Sequence, residues 1–291
     1  MARRRPNSSP RTPNPEAVEE APVPEVSEEI VTSEEVVVIE EPETEQAAPV
    51  EVAEQEELPD FGEGPGAQLR QAFFKRARTF LDLFQLARQE LTPENVHQLR
   101  VSSRRLDAAL CLMRSLIGRG PTKKLRAQIK QIRSALSPLR DLQQQLEWLG
   151  DEPLLDELLT ARASKLPKQI IKASKALSKH KPSRLEKRLE MVDALLAALL
   201  EEEGAEEGCR EILSRQVWET LLYAMSRAEE VDPDVSVSYH PLRLAMKAFR
   251  YQAEVYGDAG WPNPLDQHGG WAKIKERALS LGALKNLEVL C

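Results

Sequence analysis

His97, Arg100 and Arg104 stand three and four residues apart in Val96-His97-Gln98-Leu99-Arg100-Val101-Ser102-Ser103-Arg104-Arg105-Leu106. At 100° per residue they span about 60° of a helical wheel, with Leu99, Leu106, Leu110 and Met113 opposite. A near copy follows at His240-Pro241-Leu242-Arg243-Leu244-Ala245-Met246-Lys247-Ala248-Phe249-Arg250-Tyr251, where His240, Arg243, Lys247 and Arg250 share one face and Leu242, Phe249 and Ala253 form the back. Guanidinium forks and an ammonium donate to many anionic oxygens at once, and imidazole adds a further donor, so the chemistry these faces support is anion recognition. One charged helix face is ordinarily a solvated surface. Two matching faces in one chain point to a shared site.

The elements that must carry these faces are helical. From Ala67 onward the apolar period is that of helices, and alternating Val/Ile/Thr runs are missing, which predicts an all-α domain. A first helix is expected over about 68–89, with Leu69, Phe73, Phe80, Phe84 and Ala87 in its apolar stripe. Thr92-Pro93-Glu94 reads as a helix start, and the helix it opens should stop near Gly118-Arg119-Gly120-Pro121. A third helix is expected from about Thr122, with Leu125, Ile129, Ile132 and Leu136 inward and Arg126, Lys130, Arg133 and Arg140 along another face, and with a kink or break at Ser137-Pro138. Asp151-Glu152-Pro153 opens a further helix that Pro167 should bend. Its second half bears Lys165, Lys168, Lys172, Lys175 and Lys179 on one stripe, which reads equally as a solvated face or a ligand-binding rim. Ser183 can cap the helix carrying Arg184, Lys187 and Arg188; Gly204 to Gly208 forms a turn; further helices are expected over about 210–230 and from about Asp266 to the end.

The match between halves extends past the histidines. Ile129-Lys130 and Leu136-Ser137-Pro138-Leu139-Arg140-Asp141-Leu142 correspond to Ile274-Lys275 and Leu281-Gly282-Ala283-Leu284-Lys285-Asn286-Leu287, offset by 145 residues against 143 for the histidines. A slip of two residues fits in a loop, so a duplicated helical unit is expected: a first repeat over about 67–150 and a second over about 205–291. Two antiparallel bundles of four-helix type about a pseudo-twofold axis would turn both cationic fronts toward one groove.

Charge separates this domain from what precedes it. Residues 1–66 hold four basic and eighteen acidic side chains; the rest of the chain holds 36 basic and 29 acidic, so the net charge of −7 hides an acidic segment followed by a basic domain. That segment, rich in Glu, Pro and Val with Phe61 as its one aromatic, is expected to be a disordered tail; Val36-Val37-Val38-Ile39 within it reads as composition rather than as a docking motif. Cys111, Cys209 and Cys291 are far apart and form no CxxC pair, which argues against a disulfide framework or thiolate zinc site. The start lacks an apolar signal region, and no run approaches the ~18 apolar residues of a membrane span. A soluble cytoplasmic protein is the expectation, with no membrane partner.

The pattern His-x-x-Arg-Val-x-x-Arg-Arg-Leu at 97–106, the run Lys130, Arg133, Arg140-Asp141, and His-x-Leu-Arg-x-x-x-Lys-x-x-Arg-Tyr at 240–251 together resemble the CHAD domain, the conserved-histidine α-helical domain, over about 67–291. The resemblance implies two four-helix bundles around a basic channel that binds inorganic polyphosphate, and association with polyphosphate granules. It implies a ligand-facing set of His97, Arg100, Arg104, Arg105, Lys130, Arg133, Arg140, His240, Arg243, Lys247 and Arg250. The chain departs from the family pattern at Asp107, which stands where the second repeat has Arg250, at Pro138, at Asn286 and at Ala278 opposite Arg133; the family's final helix also normally extends beyond the counterpart of Cys291.

Catalysis finds little support. Glu94-Asn95-Val96-His97 has the Glu-x-x-His spacing of di-iron bundles, yet no other histidine follows a glutamate at that distance, and neighbouring arginines would repel a metal. Phosphate-binding loops and nucleophile elbows are missing, as are the Glu-x-Glu-x-Lys strand and β-tunnel of the triphosphatase domain sometimes joined to the family. The expectation is a non-catalytic binder without cofactor or metal. A nucleic-acid-binding domain is the alternative, weakened by the scarcity of aromatics on the basic faces. A scaffold for acidic peptides, including the chain's own tail, is another.

Overall fold

The computed structural model describes residues 59–150, 156–232, 235 and 238–262, all within one unit, Val38–Cys291. Eight helices lie among them: α1 Pro65–Gln89, α2 Pro93–Ile117, α3 Arg119–Gly150, α4 Asp156–Ala163, α5 Leu166–Leu177, α6 Pro182–Leu200, α7 Ala205–Glu229 and α8 Tyr239–Asp258. No strand occurs among the described residues, in line with the all-α reading. None of these helices is long and apolar enough to cross a membrane.

Local chemistry starts and stops these helices. Gly64, at φ 98°, turns the chain into Pro65, whose fixed φ suits a first helical position. Thr92 accepts a hydrogen bond on Oγ1 from the Asn95 amide at 3.1 Å, satisfying one of the donors that a helix start leaves open, and Glu94 sits in the same turn. Gly118, at φ 83°, ends α2. Thereafter α3 begins at once, three residues earlier than its apolar period alone indicates.

The structure shows no break at Pro138 and no long helix bent at Pro167. Pro138 does not break α3, which continues through it to Gly150. The missing amide costs the bond to the Ser134 carbonyl, but Pro138 is exposed, and Leu136, Leu139 and Leu142 bury the turns on either side of it. Pro167, instead of bending a long helix, stands in the first turn of α5, after the chain has turned at Ser164 and Lys165. Pro182 likewise takes the first position of α6, so Lys181 and not Ser183 precedes that helix. The turn expected at Gly204–Gly208 falls earlier, at 201–204, and Gly208 lies inside α7. The helix start at 151–153 and the final helix from Asp266 fall outside the described residues.

Packing follows the repeat. In the first half α1 packs on α2 and α2 on α3, while α5 covers α3 and α6 lies against α1, α2 and α3; in the second half α7 packs on α8. The halves meet where α8 lies against α2 and α1, and α7 against α2. One apolar core joins them: Leu69, Phe73, Phe80 and Phe84 of α1 and Leu99, Leu106 and Leu110 of α2 share it with Leu213 and Val217 of α7 and Phe249 of α8. Each fully buried Phe or Leu contributes roughly 1.5–3 kcal/mol by removal from water.

Polar ties fix the arrangement of the helices. Arg70 donates from two nitrogens to both Asp193 oxygens, at 3.1 and 2.8 Å, holding α1 to α6. Arg76 reaches Asp258 at 2.6 Å, joining α1 to α8, and Ser115 donates to Gln216 at 2.9 Å, joining α2 to α7. Thr220 donates to Gln252 at 3.0 Å in the buried seam of α7 and α8.

Candidate functional site

The two helices that carry the histidine–arginine faces, α2 and α8, come from different repeats and pack directly against each other. Both faces prove to be far less solvated than a helical wheel suggests. Arg100 is 1 % exposed and Arg243 and Arg250 are each 3 % exposed, so three guanidinium groups lie inside the protein. Sequestering a charge this far from water requires that its donors be met, and the structure displays part of the means.

Arg100 donates from a terminal nitrogen to the Ser137 hydroxyl of α3. Ser137 in turn donates to the Arg133 carbonyl at 3.2 Å, so one hydroxyl both receives the buried arginine and closes onto the preceding turn, next to Pro138. Beside Arg100, the side chains of Ser102 and Ser103 are buried and turned to carbonyls of their own helix.

Arg250 is held differently. Its guanidinium lies 4.8 Å from the centroid of the Tyr251 ring, and its Nε is 3.7 Å from a carboxylate oxygen of Glu254, one turn further along α8. Tyr251 is itself buried. The ring therefore serves the arginine from within the protein and does not offer a face to solvent.

The remaining residues of the expected set fall into two environments. His97, Arg104, Arg133, Arg140, His240 and Lys247 are half-buried, whereas Arg105 and Lys130 are exposed. Arg105 lies well round α2 from Arg100, which explains its separation from the face. Lys165, Lys168, Lys172, Lys175 and Lys179 are all exposed, while Ala173 and Leu177 on the opposite side of α5 are buried toward α3. The lysine stripe thus stands one helix removed from α2.

Asp107 organises the first repeat's share. Its carboxylate accepts from Arg126 Nε at 2.7 Å and approaches Arg133 at 3.7 Å, so one acid on α2 faces two cations on α3. Burial works against the charge on Arg126, but the Asp107 and Cys111 groups outweigh it and hold the guanidinium above its ordinary value. At Cys111 the balance runs the other way: burial pushes the thiol up, Arg126 opposes this, and Asp107 adds to it. Cys111 is therefore not an activated nucleophile.

The Glu-x-x-His element lies at the start of α2. Glu94 is exposed and accepts from Gln98 at 2.5 Å, and among the described residues no three His, Cys, Asp or Glu side chains are grouped to hold an ion. Sequence reasoning missed Ser137 as the acceptor for Arg100 and read Asp107 only as a departure. Asp107 and Arg126 lie on different helices, nineteen residues apart, so helical periodicity could not pair them.

Among curated proteins no relative matches the chain. Among solved structures, the crystal structure of the CHAD domain from the plant Ricinus communis is similar in fold, with a TM-score of 0.59 over 79 % of this chain and 78 % of that one, at 21 % sequence identity. The family model for the CHAD domain matches residues 71–291. With three quarters of its length under that match, the chain belongs to the CHAD domain family.

Proposed function

We propose that the α2–α8 region binds inorganic polyphosphate without catalysing a reaction on it. The observation that carries this reading is the cationic excess of α2 and α8, two helices that pack together. α2 and α8 bear seven Lys and Arg side chains against four acids. Two of those acids are engaged elsewhere, Asp107 with α3 and Asp258 with Arg76 of α1. An extended polyanion with acceptor oxygens all along it and no bases to be read matches such a surplus. Its association would draw on counterion release and weaken steeply with salt, as for nucleic-acid backbones.

The burial of Tyr251 favours this reading over nucleic-acid binding, because single-stranded bases need accessible rings on which to stack. The acidic segment 1–66 supplies a second anion, on the same chain, and we infer that it competes weakly for the same cations. Displacement separates these readings. A labelled long-chain polyphosphate bound to the full chain is challenged with unlabelled polyphosphate, single-stranded RNA and a peptide of residues 16–63 at equal charge. Polyphosphate should displace at the lowest concentration and the peptide at the highest. RNA displacing as well as polyphosphate would move the function to nucleic acid.

A further inference from the structure

α7 carries a stripe that its counterpart in the first repeat lacks. The buried faces of α1 and α7 correspond at a constant offset of 140 residues: Leu69, Phe73, Ala77, Phe80, Leu81 and Phe84 match Cys209, Leu213, Val217, Thr220, Leu221 and Ala224, and all twelve are buried. At the same offset, Trp218, Leu222 and Met225 stand where α1 has Arg78, Asp82 and Gln85. The three apolar residues are 40 to 60 % exposed. The fold solves the same packing in α1 with polar residues, so the bundle itself does not require this apolar surface.

The stripe is longer than its apolar centre. Glu211, Arg215, Trp218, Leu222, Met225 and Glu229 follow one another at spacings of 4, 3, 4, 3 and 4, the period of a helix–helix seam, and all six are exposed. Arg215 and Glu229 lie seven residues to either side of Leu222. A second copy of α7 laid antiparallel across Leu222 would set each Arg215 against the other copy's Glu229, with Leu222 meeting itself on the two-fold axis and Trp218 beside Met225. Neither Arg215 nor Glu229 has an ion-pair partner among the described residues, so both charges are available to such an arrangement.

We propose that this face of α7 is a self-association surface, and that its occupant is α7 of a second copy of the chain in antiparallel register. Self-complementarity argues for a copy over another partner: an isologous two-fold contact requires that a patch match its own reverse, and opposite charges equidistant from a leucine satisfy that. The seam from Arg215 to Glu229 spans about 21 Å at 1.5 Å per residue, which suits a small interface and reversible association at micromolar concentrations. The inference does not depend on what the α2–α8 region binds.

Sedimentation of the full chain from about 1 to 200 µM, a range set by that interface size, tests the proposal. The expected result is a monomer–dimer equilibrium, weakened at least tenfold by Leu222→Glu with helical circular dichroism unchanged. Arg215→Glu and Glu229→Arg should each weaken it, and Arg215→Glu/Glu229→Arg together should restore it, since the exchanged charges again oppose. A chain monomeric at every concentration overturns the proposal. So does a dimer indifferent to Leu222→Glu, or a Leu222→Glu variant that stays monomeric like its parent but unfolds more easily, which would make the stripe a seat for another segment of the same chain.

Discussion

Asp107 on α2 accepts a hydrogen bond from Arg126 on α3 at 2.7 Å, at the position that Arg250 holds in the second repeat. The duplication is thus electrically unequal. In one half a buried arginine rests on a ring and a distant carboxylate, and in the other an acid draws Arg126 and Arg133 toward itself. That acid restrains Arg126 and, with it, Arg133, which the family resemblance implies to be ligand-facing.

Removing the restraint should strengthen anion binding and weaken the fold. Asp107→Asn releases Arg126 and Arg133, and polyphosphate affinity at low salt should rise about three- to tenfold, with a steeper salt dependence. The lost pair is partly solvent-screened and should cost about 0.5–1 kcal/mol of stability. Isothermal titration at two salt concentrations and urea unfolding read the two effects separately; weaker binding by Asp107→Asn would show that the acid supports the site instead.

Ser137 is the visible acceptor for a guanidinium inside the protein. Ser137→Ala should cost roughly 1–3 kcal/mol, the cost of removing a buried partner from a charged donor. Ser137→Thr, which keeps the hydroxyl, should recover much of this. Calorimetric melting compares the three proteins, and a Ser137→Ala melting temperature equal to the parent's would deny the hydrogen bond its role.

His180, just beyond α5, has its pKa lowered by burial and secondarily by Lys179. The folded protein therefore favours the neutral ring more than the unfolded chain does. Its contribution to stability is whole above the ordinary histidine value of about 6.5 and is lost as pH falls through the lower folded value. His180→Gln should flatten the decline of unfolding free energy on the acid side of pH 6.5. An identical decline in the variant would assign the pH dependence to other groups.

The thiols of Cys111 and Cys209 are both pushed up, chiefly by burial. A disulfide-exchange reagent at pH 7.5 should label them at least about tenfold more slowly in the native protein than in denaturant, because the thiolate is the reacting form. Rapid native labelling of Cys111 would mean that Arg126 outweighs burial there.

What the sequence made legible was chiefly what is local or periodic. Thr92-Pro93 announced a helix start because cap chemistry resides in neighbouring residues, and the apolar stripe of α1 emerged from its own spacing. The paired faces at His97 and His240 were visible because a duplication repeats its pattern. The course of the chain at Pro138 and Pro167 was not legible, because whether a proline is carried within a helix or begins one depends on which flanking turns the tertiary structure buries. The wheel also placed Arg100, Arg243 and Arg250 on a front without showing that the fold takes all three out of solvent. Asp107, paired with α3, required the third dimension outright.

Deleting residues 1–63 should tighten polyphosphate binding severalfold at low salt and leave it nearly unchanged at high salt, since screening removes the advantage of a tethered acidic competitor. Fluorescence titrations of the full and shortened chains at the two salt levels decide this. Equal affinities at low salt would remove the tail from the account.

The central claim is most directly tested by titrating long-chain polyphosphate and a DNA duplex of equal phosphate content into the full chain and into Arg104→Ala/Lys247→Ala. Those two residues are half-buried, one on each repeat's face, and can be truncated without emptying the core. Polyphosphate should bind at least about tenfold more tightly than the duplex, weaken with rising salt, and lose at least about tenfold in the double variant, each charge contact being worth on the order of 1 kcal/mol. Duplex binding as tight as polyphosphate, or a double variant that binds polyphosphate like its parent, would contradict it.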